Sequence, residues 1–331
     1  MSTLRTGVVG VGALGRHHLR WMSQLASSEL IGLYDTDRER AESYAKEYNI
    51  TAFDSLDALA DAVQAVSIVV PTTAHFEVGS TLIAKGVHCL IEKPITPNLK
   101  ESAKLQQLAD ENSVKVTVGQ IERFNPAVRA LEGLNVRPSF IEAHRLAAFD
   151  PRGTDVAVVL DLMIHDIDLV LMFVKSPVVD IHASAVAVIS DQADIANARL
   201  TFANGTVANL TASRISLQQM RKLRIFQRSG YYSLDLASKQ ADLYRLAGDN
   251  DTEADGLRLP LGKSGKDIIY SKKRDTGEDM LGGELAAFLE AVIEGKPVAV
   301  TVSEAAEALR IALEIERIGT ESVARAAGEC S

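Results

Sequence analysis

Three groups of residues have the types and spacing to do chemistry. The first is Val87 to Pro94, V-H-C-L-I-E-K-P, where a short apolar run ends in Glu92, Lys93 and Pro94. Apolar residues followed at once by charge predict a buried strand whose end opens on a cleft. Pro94 stops the ladder there and restricts Lys93 to extended backbone. An ammonium group in that place can stabilise an oxygen that gains negative charge. It can equally be a surface lysine beside its glutamate. The second group is Gly10-Val11-Gly12-Ala13-Leu14-Gly15, with Asp35 standing 20 residues past Gly15. In G-x-G-x-x-G the first glycine permits a tight turn, the second leaves space for a pyrophosphate, and the third lets a helix pack closely on a sheet. Helix amides near Ala13 and Leu14 point at the phosphates. A carboxylate at Asp35 accepts two adenosine ribose hydroxyls and repels a 2'-phosphate, which favours NAD over NADP. Arg38 lies close enough to complicate that preference. The third group is Asp161, His165 and Asp168, spaced four and three residues apart so that they share one helix face, with Asp166 pointing elsewhere. Carboxylate, imidazole and carboxylate suit a metal, a general base or a buried histidine satisfied by its neighbours. H-x-x-D and D-x-x-x-H lack the separated third ligand that a metal site needs, so no metal is expected.

The elements that must carry these groups alternate in the first part of the chain. Strands are predicted at Leu4–Val9, Leu30–Tyr34, Ala65–Val70, Val87–Ile91 and Val114–Val118. Helices are predicted at His17–Ala26, Asp37–Tyr48, Asp54–Ala62, His75–Lys85 and Leu99–Asn112. Strand–helix units of this length indicate a mostly parallel sheet with helices on both faces, and ligands bind beyond the carboxyl ends of such strands. Gly10, Asp35, Pro71 and Lys93 all fall at strand ends of this kind, which turns Lys93 toward function. Thr72 and Thr73 can bond a cofactor or cap the helix that His75 begins, and capping is the commoner use. His75 reads as structural or cofactor-facing.

The texture changes after Gln120. Asn125-Pro126 starts a helix with proline in its first turn, Ser139–His144 is a strand, and Val156–Val174 is a long apolar helix. Strands follow at Ile181–Ile189, Ala193–Phe202, Thr206–Ser213, Arg221–Gln227, Tyr231–Leu236 and Gln240–Leu246, with Asn204-Gly205 as a hairpin signal. Asp249–Lys266 is polar and turn-rich, and Gly277–Glu294 and Ser303–Ala326 are helices. The predicted architecture is an α/β Rossmann domain, residues 1–122, followed by an α+β domain, residues 123–331, with a large open, mostly antiparallel sheet. The helix 303–326 has the option of packing back on the first domain. No series of helices covers the wide sheet, so a second copy of the chain is expected on it, as a homodimer or homotetramer.

Composition limits the partners. At 331 residues two domains are expected, and a net charge of -9 disfavours non-specific nucleic-acid binding. Two cysteines give no disulfide framework. No apolar run approaches the roughly 18–20 residues that span a bilayer. The strand pattern begins within a few residues of Met1, leaving no room for a signal peptide, so a cytoplasmic protein is expected.

The glycine motif, Pro71 with His75, Glu92-Lys93-Pro94 and Asp161-Leu162-Met163-Ile164-His165 together closely resemble the glucose–fructose oxidoreductase/inositol dehydrogenase (Gfo/Idh/MocA) family, over essentially the whole chain. The resemblance implies a Rossmann domain with an open mixed sheet that forms a dimer interface. It places Lys93 between cofactor and substrate, and has Asp161 and His165 contact sugar hydroxyls with the histidine as base. Gly10, Gly12, Ala13, Leu14, Gly15, Asp35, Pro71, Thr72, His75, Glu92 and Lys93 are the expected NAD-binding set, and it implies that the peptide bond before Pro94 is cis. The segment Gly119–Pro126, G-Q-I-E-R-F-N-P, resembles the subgroup acting on nucleotide-linked sugars, especially UDP-N-acetylglucosamine at C3. Arg123, Arg145, Arg152, Arg214 and Lys222 are candidates for the diphosphate, with Arg123 and Arg152 assigned to substrate. A free sugar, a cyclitol, another hydroxy or carbonyl compound, an NADPH-dependent reductase and a non-catalytic NAD- and sugar-binding regulator stay open beside that reading.

Overall fold

The computed structural model describes residues 2–149, 157–190, 192–248, 256–262, 264–275 and 277–329. The chain divides into two compact units, Met1–Ile121 with Asp279–Leu309, and Glu122–Glu278 with Arg310–Ser331.

The first unit carries strands β1 (Leu4–Val9), β2 (Ser28–Tyr34), β3 (Thr51–Ala52), β4 (Ala65–Ile68), β5 (His88–Glu92) and β6 (Val116–Gly119). They form one sheet in the order β3-β2-β1-β4-β5-β6, parallel throughout. The central strands are apolar on both faces, as parallel strands covered by helices must be: Val66, Ile68, Cys89, Leu90 and Ile91 are wholly buried. The connecting helices are α1 (Gly15–Gln24), α2 (Arg38–Tyr48), α3 (Leu56–Ala62), α4 (His75–Ala84) and α5 (Leu99–Glu111). Asp37, Ser55 and Asn98 cap three of them by accepting from the amides of Arg40, Ala58 and Glu101. Helix α4 starts without a side-chain cap, so Thr72 and Thr73 do not have the capping role expected for them.

The second unit begins with the short helix α6 (Pro126–Arg129), capped by Asn125, and the strand β7 (Phe140–Leu146). A π-turn, Val159–Met163, leads into α7 (Ile164–Val174), where a continuous α-helix was expected. The strands β8 (Val178–Val186), β9 (Ile195–Phe202), β10 (Val207–Ser213), β11 (Met220–Gln227), β12 (Gly230–Asp235), β13 (Gln240–Leu246), β14 (Leu257–Pro260) and β15 (Asp267–Lys273) complete the unit. With β7 they make a nine-stranded sheet in which, among the described residues, only the β7–β10 pair is parallel. Strand β14 falls in the stretch read as a polar loop, and β15 was not foreseen at all. Helix α7 lies against β7 and β10 on the face that buries Ile141, Ala143 and Arg145. On the alternate face, Phe140, Phe226, Tyr231, Tyr244 and Tyr270 stack across five strands with centroids 4.8–5.7 Å apart.

The last two helices correct the expected domain assignment. Helix α8 (Met280–Glu294) belongs to the first unit because its apolar face, Leu281, Leu285, Phe288 and Leu289, closes one core with Leu19 and Met22 of α1. A Cβ on Gly282 would meet the Trp21 ring at 3.0 Å, so the glycine lets the two helices touch. Helix α9 (Val302–Glu329) starts in the first unit, and from Arg310 onward it belongs to the other, where Gly319 lies on Ala185 of β8. Among the described residues no helix is long and apolar enough to cross a membrane.

Candidate functional site

The glycine loop joins β1 to α1. Gly10 has φ +83°, and a Cβ on it would meet the Val69 carbonyl oxygen at 2.4 Å. A Cβ on Gly15 would lie 1.9 Å from the Gly10 carbonyl oxygen, so neither position admits a side chain. Gly12 differs: nothing lies within 4 Å of its Cβ position. The turn and the helix contact need their glycines for folding, and Gly12 keeps open space in front of the loop. Ala13 and Leu14 are exposed beside it, at the start of α1. This is the cradle that a dinucleotide pyrophosphate requires, so the residues present fit NAD.

Asp35 follows β2 and is almost buried, its side chain 4% exposed. Its Oδ2 accepts from the Val11 amide at 2.8 Å and from Arg40 Nε at 3.2 Å, and its Oδ1 accepts from the Asp37 amide at 2.9 Å and from Arg40 Nη2 at 2.7 Å. Burial pushes the carboxyl pKa up, but the Arg40 guanidinium and the two amides outweigh it and hold it below the usual range. Arg40 is thus the cation beside the Asp35 carboxylate. Arg38, suspected from the sequence, pairs with Glu42 and Asp54 instead.

The ends of β4 and β5 bring the remaining first-unit residues together. Pro71 is exposed and Thr72 half-buried, in a 3-10 turn that runs from Thr72 to Ala74. His75 is buried, with Nδ1 2.9 Å from the Pro94 carbonyl oxygen and Nε2 2.9 Å from that of Val70. The imidazole therefore ties the turn before Pro71 to the turn after Lys93. Burial holds its pKa below the ordinary value, against the pull of the two carbonyls. The Lys93–Pro94 bond is cis. Glu92, which pairs in register with Gly119, accepts the Lys93 amide at 3.2 Å through Oε2, and Lys93 itself is half-buried.

In the second unit, Leu160, Asp161, Leu162 and His165 are half-buried while residues 166–170 are buried. A π-turn holds more residues than the 3.6 of an α-turn, so the four-residue step from Asp161 to His165 returns closer to a full turn. Asp161 and His165 are the half-buried acid and imidazole of this segment. Asp168 does not join them. It is buried and takes a two-bond fork from Arg123, Nε–Oδ2 2.8 Å and Nη2–Oδ1 2.7 Å. Asp166 takes the same fork from Arg145, at 3.0 and 2.8 Å, and Arg145 also reaches Glu122 at 2.9 Å. Of the arginines proposed for a diphosphate, Arg123, Arg145 and Arg214 are thus engaged in buried ion pairs, the last with Asp194. Lys222 is half-exposed, 3.9 Å from Asp235, and Arg152 lies outside the described residues. Among those described, no group of three His, Cys, Asp or Glu side chains is placed to hold a metal.

Two contributors escaped the sequence pattern. Arg40 is separated from Asp35 by a helix start whose geometry no spacing rule supplies. His18 had a signal: it is a polar residue on the buried stripe of α1, with Gly15, Leu19 and Met22.

Comparison with known proteins shows the family. The profile of the GFO/IDH/MocA oxidoreductase family, NAD-binding Rossmann fold, matches residues 4–120, and the GFO/IDH/MocA C-terminal domain profile matches residues 135–233. The chain is 40% identical to UDP-N-acetylglucosamine 3-dehydrogenase of Acidithiobacillus ferrooxidans, over 90% of its own length and 91% of the relative's. The structure of UDP-N-acetylglucosamine 3-dehydrogenase GnnA from that organism superposes with a TM-score of 0.87 at 36% identity, covering 97% of this chain and 99% of that one. Scyllo-inositol dehydrogenase of Lactobacillus casei, solved with NAD(H) and scyllo-inositol, shares the fold at 18% identity, with a TM-score of 0.77 over 97% of this chain and 98% of that one.

Proposed function

The chain belongs to the GFO/IDH/MocA oxidoreductase family, and from that premise we propose that it oxidises the C3 hydroxyl of UDP-N-acetylglucosamine with NAD as oxidant. The observation that carries the substrate is the 40% identity along 90% of the chain to an enzyme of that activity. Bound NAD supplies the acceptor for the hydrogen that leaves the sugar carbon with its bonding electrons. His165 takes the proton of the hydroxyl, a task suited to an imidazole with an ordinary pKa of about 6.5. Lys93 donates a hydrogen bond to the same oxygen as negative charge develops on it. Asp161, one turn before His165, orients the sugar or the imidazole. Gly12, Asp35 and the Pro71–Thr72 turn hold the cofactor. Arg123 acts on the site through Asp168, by fixing α7, and Arg152 is assigned to the diphosphate.

The aromatic row across the second sheet favours a second copy of the chain on that face. Five half-buried rings in one line form a surface suited to a self-complementary contact.

The test is incubation of the pure protein with NAD and a panel of UDP-sugars, free sugars and cyclitols, followed by NADH absorbance. The reading expects NADH with UDP-N-acetylglucosamine and little with free N-acetylglucosamine. Turnover of an inositol or a free hexose in preference to every UDP-sugar would overturn it.

A further inference from the structure

Behind Lys93 lies a buried polar line that the reaction as described leaves unused. His18, on the buried side of α1, is wholly inaccessible. Its Nδ1 is 2.7 Å from the hydroxyl of Ser67, itself wholly buried on β4. On its other side, Nε2 lies 3.2 Å from Glu92 Oε1, a short polar contact that falls short of linear hydrogen-bond geometry. The second oxygen of Glu92 accepts the Lys93 amide at 3.2 Å. Gly119 forms the floor of the slot, since a Cβ there would meet Oε1, Cδ and Oε2 of Glu92 at 2.9, 3.0 and 3.1 Å. The carboxylate is therefore held on three sides: imidazole behind, glycine below and the Lys93 amide in front.

The proton positions follow from the partners. A carboxylate only accepts, so Nε2 carries the hydrogen that faces Glu92, and Nδ1 accepts from the Ser67 hydroxyl. The Glu92 carboxylate thus selects the tautomer, and the Ser67 hydroxyl, which can donate or accept, meets Nδ1 as donor. The line also joins two functional pieces of the unit, because α1 opens at the phosphate-binding glycine loop and Glu92 precedes the catalytic lysine.

We propose that His18 is a positioning residue for Lys93: with Ser67 it fixes the Glu92 carboxylate, which fixes the backbone from which the Lys93 ammonium is aimed. The proposal rests on the role given to Lys93 above. A shift of about 1 Å in a group that stabilises charge can cost up to roughly a hundredfold in rate. Glu92 and Lys93 belong to the expected NAD-binding set, but the pyrophosphate and ribose ends of the dinucleotide fall to the glycine loop and Asp35, so its affinity depends on that aim far less than the rate does.

Paired substitutions separate the two ends of the imidazole. H18Q places a side-chain amide nitrogen near the Nε2 position and keeps a donor toward Glu92. H18N keeps a group near Nδ1 for Ser67 and withdraws the donor. With UDP-N-acetylglucosamine and NAD, the proposal expects H18N to lower kcat by about tenfold or more, with KM for the sugar and the calorimetric Kd for NAD within about threefold of wild type. H18Q is expected to recover most of the rate. Equal kcat in H18N and H18Q, or an H18N rate unchanged per folded molecule, would overturn it. If neither variant folds, S67A carries the test: a lowered kcat at unchanged NAD Kd supports the line, and a wild-type rate refutes it. K93A is the control for the reading beneath. Normal turnover in K93A removes the catalytic role itself, whereas an inactive K93A beside a fully active H18N removes only His18.

Discussion

Arg123 grips Asp168 through a two-bond fork, at 2.8 and 2.7 Å, with both side chains nearly inaccessible to water. Two residues earlier Arg145 grips Asp166 in the same way. Residues 166 and 168 project from nearly opposite sides of an α-helix at about 100° per residue, so the two forks fix the rotation of α7 about its axis. His165, which precedes both, inherits that rotation. Ionic groups placed near a site by their spacing thus turn out to aim a neighbour.

Removing one partner of such a pair strands a buried charge. Asp168→Ala is expected to lower the free energy of unfolding by about 3–5 kcal/mol, read as a lower urea midpoint at unchanged slope. A loss under about 1 kcal/mol, the range of exposed pairs, would show that Arg123 finds water or another acceptor and that the fork does not hold the helix.

The three glycines of the loop should separate by experiment. Gly15→Ala puts a methyl 1.9 Å from the Gly10 carbonyl oxygen and is expected to destabilise the whole unit. Gly12→Ala meets nothing within 4 Å, so its melting temperature should stay at the wild-type value while the Kd for NAD rises by about tenfold or more. Unchanged NAD affinity in the stable Gly12→Ala protein would place the pyrophosphate elsewhere.

His75 gives a pH dependence of stability. Burial depresses its pKa below the ordinary 6.5, so between that value and the folded-state pKa the unfolded chain binds more protons than the folded one. Its contribution is fully present above about pH 6.5 and is lost as pH falls through the folded-state pKa. His88 acts in the same sense, its pKa lowered by burial and then by Lys115. Urea midpoints measured at steps between pH 8 and 5 should therefore fall more steeply for wild type than for His75→Gln. Parallel curves would show that His75 is not neutral in the native state.

The aromatic row predicts an oligomer that one charge disperses. Tyr231 stacks between Phe226 and Tyr244, at 4.8 and 5.6 Å. Tyr231→Glu should convert the species seen by sedimentation to monomer without loss of helix or strand signal. A wild type already monomeric at micromolar concentration would contradict the assignment of that face.

The first sheet was legible because parallel strands buried on both faces read as unbroken apolar runs, and because the glycine turn and Asp35 are bound to strand ends by local rules. Asp161 and His165 were picked out from helical spacing, and the π-turn over Val159–Met163, where the segment departs from a regular α-helix, leaves no mark in the pattern. Asp168 misled, since spacing puts it on their face and only the tertiary partner Arg123 shows where it points. Residues 279–309 were misplaced because an amphipathic helix does not declare which core its apolar face completes. Strands β14 and β15 were missed where polar and turn residues outnumber apolar ones, and their pairing depends on a neighbouring strand. His18 carried its signal in plain view, as a histidine on a buried helix face.

The most direct test of the proposed reaction follows the hydrogen on C3. UDP-N-acetylglucosamine carrying deuterium only at C3 is incubated with NAD and the enzyme, and the reduced cofactor is examined by mass spectrometry. The account predicts that the deuterium appears in the NADH, that the sugar product has lost it, and that His165→Ala slows the transfer by about a hundredfold or more with NAD affinity unchanged. NADH formed without deuterium would mean that another carbon is oxidised, and no NADH at all would contradict the proposed activity.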